Sequence, residues 1–122
     1  RTIDCALSES IYHRSREIAE VGVLDARMQM GLYLSDFSTR FHDIRAADTP
    51  ATLYDPDDYS ASQRFARRLL DAGSHGLVYR SVRHEGGECV ACFRPRLVKN
   101  VRIAGHYEYR WEGSPRPAVR KL

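Results

Sequence analysis

The sequence predicts a mixed α/β domain of the α+β class, and three observations lead there. Hydrophobic periodicity switches between helical and strand-like along the chain in the order helix, strand, strand, helix, strand, strand, strand. That order lacks the strict strand–helix alternation of a doubly wound sheet. The chain is also long enough, at 122 residues with 43% hydrophobic, to bury one core without disulfides.

The first helix is expected over residues 2 to about 20, where Ile3, Leu7, Ile11 and Ile18 recur at helical spacing and Gly22 supplies a stop. Thr2 and Cys5 do not form a capping box, so the start is not marked by one. Glu9 and His13 stand one turn apart and share a face. Residues 28–34 alternate and read as a strand, and 40–44 as a second short strand, with 36–39 turning the two into a hairpin. Residues 45–59 hold Pro50, Pro56 and several Asp with few apolar anchors besides Leu53 and Tyr54, so a loop with at most a turn of helix is expected. Ser60 with Gln63 matches a capping box, Phe65, Ala66, Leu69 and Leu70 give a buried stripe, and Gly73 gives a left-handed stop. Strands follow at 76–80, 88–94 and 98–111, the last with a bend at Gly105. From Gly113 onward, with Pro115 and Pro117, the chain reads as a basic tail.

Composition excludes several classes. The charge of +3 is mildly basic, but the signs alternate and no Lys/Arg run exceeds a few residues, so no direct nucleic-acid surface is expected. Three cysteines are an odd number and do not suggest a disulfide scaffold. Cys89 and Cys92 lie inside an expected strand, where residues three apart point to opposite faces, so a zinc or redox pair is not expected. Two small buried thiols in a reducing compartment fit better. No apolar run approaches membrane-spanning length and no signal peptide is visible, which gives a cytoplasmic expectation without membrane contact.

The segment around which the rest is organised runs from Gly73 to Pro95. A short apolar strand enters a polar loop, Arg80 to Gly87, and a second apolar strand leaves it. Ser81, Arg83 and His84 thus sit on a loop held by buried strands, a common place for binding and catalytic groups. The alternative is a hairpin turn at Glu85, Gly86 and Gly87 with solvated charges around it.

Residues 53–63 (LYDPDDYSASQ), 72–84 (AGSHGLVYRSVRH) and 86–95 (GGECVACFRP) together resemble the RES domain family, and residues 106–113 (HYEYRWEG) and the leading RTIDCALSESIYH fit the same family's ends. The resemblance implies an ADP-ribosyltransferase-like RES domain over residues 1–113, followed by the basic tail 114–122. It implies a toxin of the type paired with an Xre-like helix-turn-helix antitoxin, one that degrades NAD by phosphorolysis or hydrolysis of the nicotinamide–ribose bond. NAD is then substrate rather than cofactor, inorganic phosphate a co-substrate, and a homodimer within a toxin–antitoxin complex one expected assembly. Some members instead transfer ADP-ribose to a protein, and an inactive chain that only binds its partner is the remaining alternative.

Family sites use an Arg and a Tyr from an N-terminal segment, a helix Glu, and a Ser after a central strand. The last two correspond here to Glu9 and Ser81, while the segment for the first two is expected to precede the sequence; Ser8 stands where Ala is common. The chemistry accounts for the residue types. Cleavage passes through an oxocarbenium-like state, which a fixed carboxylate at Glu9 would stabilise as charge develops. Nicotinamide leaves as a neutral base, so no strong general acid is required. Ser81 is read as positioning rather than nucleophilic, offering one donor and two acceptor positions to nicotinamide or ribose. Arg83 is read as a fork for the pyrophosphate or an incoming phosphate.

Overall fold

A computed structural model describes residues 2–22 and 25–122. It is a mixed α+β fold in which two helices accompany two three-stranded sheets. Helix α1 spans Ile3–Val21. Its cap is Thr2, whose hydroxyl accepts the Cys5 N–H at 3.2 Å; a single Thr cap of this kind contributes about 1 kcal/mol. Gly22 ends the helix as expected, with its N–H bonded to the carbonyls of Ile18 and Ala19.

Strand β1 (Asp25–Asp36) pairs antiparallel with β5 (Lys99–Glu112), and β6 (Ala118–Lys121) adds to the far side of β5. The stretch from Ala118, expected as tail, is therefore an edge strand whose backbone pairs Tyr107–Arg110 with Lys121–Ala118. A register shift between Leu32 and Tyr33 faces the step from Gly105 to Ile103, leaving Ala104 as the extra residue. The bend expected at Gly105 is this bulge. Beyond it the β1–β5 ribbon is exposed, and its end is tied by Asp36, which accepts from the Asn100 amide and pairs with Arg102. The Asn100 bond, with Arg102 adding to it, holds the Asp36 carboxyl below its ordinary value.

The second sheet has the order β2 (His42–Asp43), β3 (Gly76–Arg80), β4 (Glu88–Cys92). Here the expected hairpin of strands 28–34 and 40–44 is corrected. The second strand leaves β1 and pairs parallel with β3, His42 against Leu77 and Asp43 against Val78. Pairing choice is non-local, so two adjacent strand-like runs in sequence do not by themselves specify a hairpin. Arg45 bridges Asp43 and Glu88 across this sheet at 2.7 and 2.8 Å and lowers the Asp43 carboxyl to about 2.

A short 3₁₀ turn at Ala51–Tyr54 leads into helix α2 (Ser60–Asp71), as the loop reading allowed. The capping box is absent, however: Tyr59 occupies the cap, and the Ser60 hydroxyl donates to Asp58 at 2.7 Å instead. An Asp two residues upstream outcompetes the helix for that hydroxyl, a local bond characteristic of short polar side chains.

The two sheets meet through α1. On one side Ser10 shares a 2.6 Å hydrogen bond with the Tyr109 hydroxyl, and the Trp111 indole N–H donates to Ser15 at 3.3 Å. Tyr109 and Trp111 are fully buried and stack edge to face. On the other side the buried Cys5 thiol points at the Glu88 carbonyl. Leu77 and Cys89 are the buried apolar residues of the second sheet. Among the described residues no helix is long and apolar enough to cross a membrane.

Candidate active site

Ser81 follows directly on β3, and its conformation is set locally. Its oxygen accepts the N–H groups of Arg83 (3.1 Å) and His84 (3.0 Å), which curls the chain. The turn is closed by Ser81 N–H donating to the Gly87 carbonyl at 2.8 Å. Gly87 has no room for a side chain, since a Cβ there would lie 2.6 Å from the Cys5 sulfur. The loop is thus seated directly against the first turn of α1.

That seating brings Ser81 to Glu9. The serine hydroxyl donates to Glu9 Oε1 at 2.6 Å, within the range of a charge-assisted bond. With two N–H groups accepted and one proton donated, the hydroxyl's hydrogen-bonding capacity is fully used within the protein. The group expected to offer these positions to nicotinamide or ribose spends them on Glu9, Arg83 and His84 instead. Cys89 comes from β4 with its Sγ 3.6 Å from the same oxygen. Glu9 Oε1 is accordingly met by Ser81 from the loop after β3 and by Cys89 from β4. Oε2 lies 4.0 Å from His13 Nε2, one helical turn on.

Glu9 and His13 open into a cleft of about 320 Å³ between β3, α2 and the loop through Asp55 and Tyr59. Its walls include Tyr54, Phe65, Tyr79, Val82 and Arg83. Such a size and a mostly apolar lining with few convergent polar groups suit a small-molecule site. Arg83 is present where it was expected, but one end is engaged. Its Nη2 donates to the Pro56 carbonyl (2.7 Å) and the Tyr59 hydroxyl (3.2 Å), and its guanidinium lies 3.3 Å over the Tyr12 ring. Nε–H and Nη1–H carry no protein partner among the described residues and remain as donors. Arg80 stacks on Tyr54 at 4.4 Å, and Tyr54 in turn ties the Arg80 N–H to the Ile44 carbonyl. Two arginine–tyrosine stacks therefore frame the cleft, each favourable by about 0.5–2 kcal/mol.

The sequence-expected residues Glu9, Ser81 and Arg83 are brought to one place. Tyr12, His13 and Cys89 were not assigned to it, although Tyr12 and His13 follow Glu9 at i+3 and i+4 and that spacing was visible. Cys89 faces Glu9 while Cys92 directs its thiol to the Arg94 carbonyl, the divergence a strand imposes. Tyr54 and Tyr59 fell within the family-like stretch 53–63 but were not assigned to the site, because an irregular loop carries no periodicity to say where its rings go. His84 stays outside the cleft, its Nδ1 paired with Ser8. Among the described residues no cluster of three or more His, Cys, Asp or Glu could hold a metal ion.

No curated protein and no solved structure matches the chain significantly. A family model described as RES domain matches residues 1–112, nearly the whole chain and every element that builds the cleft. With that match over nearly all of its length, the chain belongs to the RES domain family.

Proposed function

We propose that the chain cleaves the nicotinamide–ribose bond of NAD and passes the ADP-ribosyl group to water or phosphate. RES domains are associated with NAD-related toxin function in toxin–antitoxin systems. The observation that carries the reading is the Glu9 carboxylate, with one oxygen fixed by Ser81 and Cys89 and the other turned toward His13 at the cleft.

A carboxylate fixed in advance suits an oxocarbenium-like transition state. The positive charge grows on the ribose as the bond to nicotinamide breaks, and a preoriented anion stabilises it without reorganising. The electron pair goes to the pyridinium nitrogen, which is neutralised, so the leaving group needs no proton. Tyr54, Tyr79 and Phe65 give the cleft aromatic walls against which nicotinamide can pack, and the Nε–H and Nη1–H of Arg83 offer separate donors to the pyrophosphate. An Xre-like antitoxin belongs to the same reading as the partner that restrains the activity.

The test is mass spectrometry of NAD incubated with the protein, with and without inorganic phosphate. Free nicotinamide with ADP-ribose supports hydrolysis, and nicotinamide with phosphorylated ADP-ribose supports phosphorolysis. ADP-ribose appearing on a protein target would redirect the reading to transfer, and unchanged NAD would contradict it.

A further inference from the structure

We propose that His13 is a catalytic residue, the base that takes the proton of the attacking water; this rests on the NAD-cleavage reading above. The geometry divides the Glu9 carboxylate into two halves. Oε1 is held by Ser81 from the loop after β3 and Cys89 from β4. Oε2 lies 4.0 Å from His13 Nε2, and both residues line the same cleft. That separation is too long for a strong direct bond and leaves a position within hydrogen-bond reach of both atoms. A water there would be oriented by the imidazole and the carboxylate together.

His13 is set apart from the other imidazoles by its place, since it lines the cleft and His42, His75, His84 and His106 do not. His84 is paired with Ser8, His42 with Ser74 and His75 with Thr39, each through a ring nitrogen. The contacts of His13 are the Tyr12 ring edge and the Glu9 oxygen. Its side chain is 52% exposed against 18% for Glu9, so the imidazole lies at the solvent mouth and the carboxylate at the inner end. Water enters from that mouth, and a proton taken there has a short route out.

The step balances as follows. The C1′–N bond breaks, and its electron pair neutralises the pyridinium. A water oxygen forms the new bond to C1′ while one of its protons passes to His13 Nε2. The products are nicotinamide, ADP-ribose and an imidazolium, which returns its proton to solvent. Glu9 meanwhile faces the positive charge on the ribose, so the two groups act on different parts of the reaction. Imidazole suits proton transfer near neutrality, and a positioned base of this kind contributes about 10²–10⁴-fold.

Azide separates this role from a structural one, because it attacks carbon without a proton to lose. Nicotinamide release is measured for wild type, His13→Ala and the similarly sized His13→Gln, each shown folded by thermal unfolding, with and without sodium azide. Both variants should lose about 10²-fold or more in plain buffer. Azide should restore nicotinamide release in both and yield ADP-ribosyl azide. Variants that turn over like wild type, or that are slow and unrelieved by azide, would overturn the role of His13 alone. A wild type that releases nicotinamide only when inorganic phosphate is present would overturn the role of His13 alone, and one that releases none with or without phosphate would overturn the cleavage reading and this inference with it.

Discussion

At the scale of single residues, the site is a carboxylate whose orientation is imposed from another element. Ser81 does this through three hydrogen bonds at once, one given to Glu9 and two accepted from the backbone N–H groups of Arg83 and His84. Ser81→Ala removes the donor to Glu9 and leaves the N–H groups of Arg83 and His84 without their acceptor. Leaving such groups unpaired costs about 1–3 kcal/mol. Nicotinamide release should fall mainly in kcat, with KM changed little, and the melting temperature should drop alongside. Steady-state kinetics with a thermal melt check both. Equal loss in KM would instead mean that the hydroxyl contacts substrate. Glu9 and Ser81 were legible as a pair only through the family resemblance, since periodicity did no more than set one on a helix and the other just past a strand. The stack of Arg83 on Tyr12 was not, since no spacing rule links a loop arginine to a helix ring more than seventy residues away.

At the scale of elements, the contact between α1 and the loop after β3 decides whether the site exists. Gly87 passes so close to Cys5 that an added Cβ would lie 2.6 Å from the sulfur and 3.0 Å from the His84 carbonyl oxygen. Gly87→Ala should push the loop away from the helix, at a cost of about 1–3 kcal/mol as in other overpacked contacts. It should lower turnover as well, since Ser81 would move off Glu9. Cys5→Ala removes the sulfur, so the double variant should be less destabilised than the sum of the two singles. A coupling of about 0.5–3 kcal/mol is the expected size for residues in contact. Denaturant unfolding of the four proteins measures it, and strict additivity would contradict the contact. Helix and strand limits were readable here because amphipathic stripes and turn residues are local signals. Strand partners were not: 40–44 joined β3 in parallel, and Ala118–Lys121 joined β5 as an edge. The short polar hydroxyl of Ser60 likewise chose Asp58 over the helix end.

At the scale of the whole molecule, α1 works as a two-sided element. One face binds Tyr109 and Trp111 of the first sheet through Ser10 and Ser15. The other presents Cys5, Ser8, Glu9 and His13 to the loop of the second sheet and its cleft. The polar face of this helix, which in isolation reads as solvent-facing, is thus the catalytic one in the proposed mechanism. Family resemblance in the sequence pointed to that inversion; periodicity alone pointed away from it. The central claim is that the Glu9 charge, held in place, carries the reaction. It is tested most directly by Glu9→Gln, which keeps the size and still accepts the Ser81 proton through its amide oxygen. Nicotinamide release from NAD should fall to background in a variant whose melting temperature stays close to wild type. Turnover at the wild-type rate by that folded variant would contradict the account.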